Sequence, residues 1–550
     1  MSVDVNAVQT GALRRSSFRQ SNLVKLLLGI ILFIGVICPL GTMLLNMANS
    51  GISDVLHLPR FREALLNSIF VTAVATVISI VLAWGFAFCT VRSNLRFREM
   101  FSIFVTLPML IPSISHGMGL ILLFGANGIV TRLFGLGGTI YGFHGIVLGS
   151  VFYAFPVAFL MLADILKYED GSPYEAAEVL GIPRVNQFFS ITFPYLRKPL
   201  ISVVFAVFTL IFPDYGVPLM IGGRYITLPV LMYQEVIGLL NFSRGSVIGS
   251  FLLIPAVIAF LFDFFNRDRA NMSFIIHEKT KANNKLRDAA AAFYVILICL
   301  IIALPILIFV FLTFINSYPV DMNLSFRNIV KTMNMSAGRY LGNSLIIAVL
   351  VSVLGTMFSW ITAYFTARTG GKSSRMLHLV SITSLAVPGL VLGLSYVLFF
   401  KGTFIYGTLA MLILVNTIHF LASPYLMAYN SLGKLNSNLE DVGKTLGIGR
   451  FRIIRDVLLP QTKLTVLEML SYFFVNSMMT ISAVSFLSTV RNQPISLMIT
   501  MFEAQLFLEG AAFVSVLILG SNLIVKCAVY VIIKIFRKRA ESDESDANPV

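Results

Sequence analysis

Twelve apolar stretches dominate the chain, near 24–47, 66–90, 101–125, 143–166, 199–221, 245–266, 289–315, 343–367, 376–400, 406–430, 463–487 and 511–534. Each is long enough to cross a hydrocarbon core of ~30 Å as a helix rising ~1.5 Å per residue. No water in that core satisfies an open backbone, so a helix is the form such a stretch takes. The fold class expected is all-α: a polytopic membrane protein of about 12 transmembrane helices. Composition points the same way. Of 550 residues, 57% are hydrophobic and 12% charged, too little polar surface for a soluble protein of this size. Strand-type alternation is absent, which argues against an outer-membrane barrel.

The net charge of +15 reads as topology. With the N-terminus inside, 30 Lys and Arg fall on its side of the membrane, counting Lys25, Lys463 and Lys534 at the inner ends of their spans, and 10 on the other, with Lys526 inside a span. That imbalance places both termini in the cytoplasm, and no nucleic-acid partner is expected. The segment "RRSSFRQSNLVK" resembles a signal n-region, but a long span without an A-x-A site follows it, so a retained anchor is expected. Cys38, Cys89, Cys299 and Cys527 lie in apolar spans without a CxxC pair and read as small core residues. Neither a metal site nor a cofactor is expected.

The chain repeats itself. An offset of 276 brings Asn67-Ser68 onto Asn343-Ser344, Arg92 onto Arg368, Pro112 onto Pro388 and Gly117 onto Gly393. It also superposes Trp84 and Trp360, the only two tryptophans. Beyond the third span an offset of 266 takes over and brings Gly181 onto Gly447 and Pro194 onto Pro460. Each half carries six spans, an even number, so the halves form a parallel repeat about an axis along the membrane normal. The expected domains are a cytoplasmic tail (1–23), a first membrane-spanning half (24–266), a basic linker (267–288), a second half (289–536) and a second cytoplasmic tail (537–550).

Between the fourth and fifth spans of each half lies a polar insert, "YEAAEVLGIPRVNQFFSITFP" at 174–194 and "EDVGKTLGIGRFRIIRDVLLP" at 440–460. In the first, Ser172 is the expected N-cap, Pro173 opens a short helix and Gly181 stops it; a second helix starts at Pro183 and Pro194 closes it. Val179, Leu180, Ile182, Phe188, Phe189 and Ile191 exceed the apolar content a solvated loop needs. A partner surface and the lipid headgroups are both physical ways to cover them.

The spacing Glu175-Ala176-Ala177, Gly181, Ile191-x-Phe193-Pro194 resembles the EAA motif of bacterial ATP-binding-cassette importer permeases. The copy Asp441-Val442-Gly443, Gly447, Val457-x-Leu459-Pro460 keeps the spacing but departs at both alanines. The chain thus resembles the fused, two-permease membrane subunit of the binding-protein-dependent, type I importers. The resemblance implies that Glu175, Ala176, Ala177, Gly181 and Pro194, with Asp441, Gly447 and Pro460, form coupling helices. Their partners would be cytoplasmic ATPase subunits acting as a dimer, with substrate arriving on an extracytoplasmic binding protein. It also implies a multi-pass protein of the bacterial inner membrane, in contact with the lipid bilayer. The unlike alanine positions imply an asymmetric joint. Two long stretches, 141–182 and 213–250, look most like the subgroup assigned to 2-aminoethylphosphonate uptake, with ferric-iron, thiamine and polyamine-like systems as alternatives.

No motor or enzyme is expected within the chain. "TGGKSS" at 369–374 lacks the glycine a phosphate loop requires five positions earlier, where Thr366 stands. Asp214, inside the fifth span, is flanked by Pro213, Pro218, Gly216, Gly222 and Gly223, so a broken helix is expected there. Asp214 and Tyr215, with Thr480 as the repeat mate of Asp214, are candidates for the translocation path; Asp214 alternatively caps a half-helix. His116 and His419 read as hydrogen-bonded core residues, and Trp84 and Trp360 as interfacial anchors. A major-facilitator-type secondary transporter also has twelve spans in two parallel halves, but the paired inserts speak against it.

Overall fold

The computed structural model describes residues 22–48, 52–135, 139–266 and 284–547; the tail over 1–21 and the linker over 267–283 lie outside the described residues. Among those described, nine helices are long and apolar enough to cross a membrane, and up to eleven if each of two bent pairs is one span. The remaining expected span, 463–487, is helical only over Lys463–Met479 and is 17 residues long. Among the described residues one short antiparallel hairpin, Ile315–Ser317 with Asp321–Leu324, accompanies the helices. Side chains hold it: Asn316 donates to Asp321 Oδ2 (2.6 Å), and Asn328 donates to the Ile315 carbonyl (2.6 Å).

The second span, Pro59–Arg92, shows how the sequence selects its packing. Its buried positions (Ser68, Val71, Thr72, Ala75, Thr76, Ser79, Ala83, Phe86, Ala87) recur at helical spacing and are mostly small. Leu66, Phe70, Val77 and Val81 on the other face are exposed. Small residues let membrane helices approach closely, and large apolar ones suit the lipid face. The stripe meets the fourth span, Phe143–Lys167, where Phe86 packs edge-on against Phe155 and Phe159. The eighth span repeats the stripe through Ser344, Ile347, Ala348, Val351, Ser352, Gly355 and Ser359.

The chain forms two compact units, and they exchange helices between the sequence halves. One unit comprises Ala48–Gly338 with Ser496–Leu519, so the seventh span, Lys285–Thr313, packs with the first half. There Tyr294 donates to the Leu82 carbonyl (3.0 Å), and a Cβ on Gly119 would stand 2.8 Å from Pro305. The other unit comprises Met1–Met47, Arg339–Ile495 and Gly520–Val550, so the first span, Asn22–Met47, packs with the second half. There Tyr396 donates to the Gly35 carbonyl (2.7 Å).

Both units break the same spans. Before Pro112 the expected span 101–125 is cut into a helix at Arg98–Phe104, a 3₁₀ turn at Leu107–Leu110 and a helix from Ser113. Its mate turns through 110° at Pro388, between Lys372–Ala386 and Gly389–Phe400. Proline disfavours helix in the residue before it and offers no N–H, so matched prolines give matched corners.

The Asn-Ser pairs have a common task. Asn67 donates to the Ile226 carbonyl (3.0 Å) and Ser68 accepts from Leu228 N–H (2.7 Å). Asn343 donates to the carbonyls of Arg491 (3.2 Å) and Gln493 (3.1 Å), and Ser344 accepts from Ile495 N–H (2.8 Å). Each pair satisfies the backbone at the start of the next helical piece, Leu228–Tyr233 in one half and Ile495–Leu497 in the other. Ser344→Ala leaves that buried N–H without an acceptor and is expected to cost about 1–3 kcal/mol, read as a lower melting temperature in detergent.

Trp360 is not the interfacial anchor expected from its position. It is 6% exposed and donates to Thr462 Oγ1 (3.1 Å), because a buried indole needs an acceptor.

Candidate functional site

The first insert folds as a knob. Its helix, Ser172–Val179, ends in a turn with Gly181 at φ +68°; Ile182 N–H donates to the Ala177 carbonyl (2.9 Å) and Gly181 N–H to that of Glu178 (3.0 Å). This pair of bonds is the glycine-capped helix end that a left-handed residue permits. Ser172 is not the N-cap; Asp170 Oδ1 accepts from both its N–H and its hydroxyl. The second knob repeats the turn: Leu439–Thr445, Gly447 at φ +70°, and Ile448 N–H donating to the Gly443 carbonyl (2.8 Å).

Glu175 and Ala176 point outward while Ala177 is buried; Asp441 and Val442 point outward while Gly443 is buried. Beyond them Val179, Leu180 and Phe189 are exposed on the first knob, as are Leu446 and Phe451 on the second. Leu180 and Leu446 occupy equivalent positions and are 74% and 68% exposed.

Pro194 does not close its knob as expected, and its mate Pro460 does not close the second. A π-helical turn, Phe188–Thr192, precedes Pro194, and the helix runs on from Phe193 to Ile211 as the fifth span. The wider turn absorbs the bond that proline cannot donate. The second knob has the same π turn at Ile454–Leu458, then Leu459–Gln461, with a break at Thr462 before Lys463. Each knob therefore leads directly into its fifth span.

At the base of each knob sits an arginine from the end of the second span of its half. Arg92 pairs with Glu169, which also accepts from the Tyr174 hydroxyl on the knob helix. With its proton committed there, Tyr174 accepts from Thr192 Oγ1 (2.5 Å), the last residue of the π turn. Burial, then the neighbouring Glu169, pushes the Tyr174 phenol well above its ordinary pKa. In the second half Arg368 grips Glu440 from two nitrogens (Nε at 2.8 Å) and donates to the carbonyls of Leu435 (2.8 Å) and Asn436 (2.6 Å). Glu440 stands at the repeat position of Tyr174. Sequence reasoning missed both clusters, although the 276 offset had matched the two arginines.

The fifth span is broken where expected. Its helix ends at Ile211, and a second piece, Gly216–Ile221, starts after Asp214 and Tyr215. Asp214 is half-buried and its Oδ2 accepts from Val217 N–H (3.1 Å); Tyr215 is buried and stacks on Tyr233 at 5.3 Å. The short helix is seated by glycines: a Cβ on Gly149 would lie 2.5 Å from Val217, and one on Gly117 would lie 3.2 Å from the Val217 carbonyl. In the other unit the helix ends at Met479 with the buried Thr480, and a Cβ on Gly393 would lie 2.8 Å from the carbonyl of Ala483. Val217 and Ala483 are repeat mates, as are Gly117 and Gly393. His116 is buried beside Tyr153, ring centroids 6.0 Å apart.

A helical membrane protein built twice, with matched knobs outside its spans and a broken fifth span in each half, is a fused two-domain permease. The chain belongs to the family of binding-protein-dependent transport system inner-membrane components, which it matches over residues 75–268 and again over 355–538. Both matches begin beyond the exchanged first spans. A putative ferric transport system permease of Haemophilus influenzae is 28% identical over 445 residues, covering 78% of this chain and 70% of that protein. A ferric transport system permease of Actinobacillus pleuropneumoniae is 28% identical over 443 residues, 77% of this chain and 64% of its own. A thiamine transport system permease of Escherichia coli is 22% identical over 350 residues, 62% of this chain and 64% of its own. The chain is thus a multi-pass inner-membrane permease, similar to transport subunits.

Proposed function

We propose that this permease is the translocation path of an ATP-driven importer whose ATPase subunits seat on the two knobs from the cytoplasm. The observation carrying this reading is the pair of outward apolar faces around Leu180 and Leu446, each ending at a left-handed glycine. A solvated loop gains nothing by exposing such groups twice at matched positions, whereas a dimeric motor covers both. On this reading both termini are cytoplasmic, an extracytoplasmic binding protein delivers the solute, and Asp214, Tyr215 and Thr480 line the two matched breaks through which it passes. Glu175 and Asp441 face the motor as acidic contacts.

Ferric iron is the substrate best supported, because two relatives named for ferric transport match across most of this chain. The 2-aminoethylphosphonate expected from sequence is the alternative. Labelled ferric iron and 2-aminoethylphosphonate, offered to vesicles with the ATPase and binding protein, distinguish them: iron uptake that requires ATP is expected. Uptake of the phosphonate alone overturns the substrate, and robust ion-gradient-driven uptake by the chain alone overturns the importer.

A further inference from the structure

We propose that Arg92 and Arg368 are positioning residues that fasten each knob to the second span of its half, so that displacement of the knob moves the second and fifth spans together. The inference rests on the coupling role proposed for the knobs.

In the first half the junction is a chain of side chains. Arg92 ends the second span, Glu169 precedes the knob, Tyr174 lies on the knob helix, and Thr192 closes the π turn that opens the fifth span. One phenol hydroxyl thereby ties three pieces of backbone. The Arg92 guanidinium also lies 5.9 Å from the Tyr174 ring centroid. In the second half the arginine keeps its place and the acid changes: Glu440, on the knob helix itself, replaces the Glu169–Tyr174 relay. Two different side-chain solutions thus make one mechanical connection.

Both pairs are largely shielded, with side-chain exposures of 14% and 3% for Arg92 and Glu169 and of 4% and 12% for Arg368 and Glu440. Shielded ion pairs pay a large desolvation cost, and apolar packing serves stability as well or better. What a forked guanidinium supplies in return is direction, since it fixes both distance and angle to its acceptors. A knob held only by apolar contact would slip under load, and the stroke would then reach the fifth span alone.

The test uses the full chain purified with its ATPase, with Cys38, Cys299 and Cys527 changed to Ser so that half-buried Cys89, one turn before Arg92, is the remaining thiol. The rate of labelling by N-ethylmaleimide is measured without nucleotide and with ATP plus vanadate. A nucleotide-dependent change in rate is expected in this parent. Tyr174→Phe and Arg92→Ala are each expected to abolish the change while the ATPase still co-purifies, and Arg92→Glu combined with Glu169→Arg to regain it. Loss of packing alone would not remove a nucleotide response from an intact assembly. Tyr174→Phe removes one hydroxyl from a buried ring and keeps the test open if Arg92→Ala fails to insert. A full response in both variants overturns the fastening and leaves the coupling role standing. No response in the parent overturns both.

Discussion

Gly393→Val is expected to unfold at a markedly lower temperature in detergent than the unsubstituted chain, a loss of about 1–3 kcal/mol by the usual cost of overpacking. The added Cβ would meet the Ala483 carbonyl at 2.8 Å and Phe486 at 3.4 Å. The nearer obstacle is backbone, which cannot swing aside as a side-chain end can. It also belongs to the segment that follows the helix break at Thr480, so relief requires moving the broken span. Gly342→Val is the control: it lies in the helix Gly338–Ala367 with nothing within 4 Å of its Cβ position. It is expected to melt like the parent. Equal melting of the two variants would show that close approach at Gly393 is not needed, and the same would then hold for its mate Gly117.

What the sequence made legible was local or periodic. Apolar runs gave the spans, and a fixed offset paired Gly117 with Gly393 before either had a neighbour. The clustered Pro213, Gly216 and Pro218 announced the break in the fifth span because both residue types act on their own backbone. What stayed hidden depends on partners distant in sequence. Nothing in 24–47 or 289–315 says that these helices pack with the opposite half, since lipid and a neighbouring helix ask for the same apolar residues. Trp360 looked interfacial until Thr462, 102 residues away, supplied its acceptor. Pro194 read as a stop because the π turn that accommodates it carries no signature.

The unequal alanine positions illustrate the same limit. Val442 for Ala176 is a change on an outward face. Gly443 for Ala177 is a change on the inward face, where a Cβ would lie 2.2 Å from Ile453 Cδ1. The repeat mate of Ile453 is Gln187, whose amide turns to the Ile182 carbonyl (2.8 Å) and leaves room for alanine. The inner difference is thus compensated within the knob. Only the outer one, valine for alanine, is offered to a partner.

Gly181→Trp is expected to abolish ATP-driven uptake and to strip the ATPase from the purified chain, with membrane insertion intact and melting lowered no more than in Gly181→Ala. The position combines two properties that separate docking from folding. No atom lies within 4 Å of an added Cβ, so a side chain there starts into open space. The φ of +68° penalises any side chain by about 1–2 kcal/mol, a cost confined to one turn at the surface. The ring instead projects from the turn beside Leu180, into the surface the motor must cover. Loss of tenfold or more in affinity corresponds to about 1.4 kcal/mol, well within what an indole lodged in an interface disturbs. Gly181→Ala shares the backbone penalty and lacks the bulk, so it is expected to retain most ATPase binding. Gly447→Trp, on the knob with the valine, is expected to act in the same direction. Intact co-purification and uptake in Gly181→Trp would remove the first knob from the docking surface, whatever Gly447→Trp does.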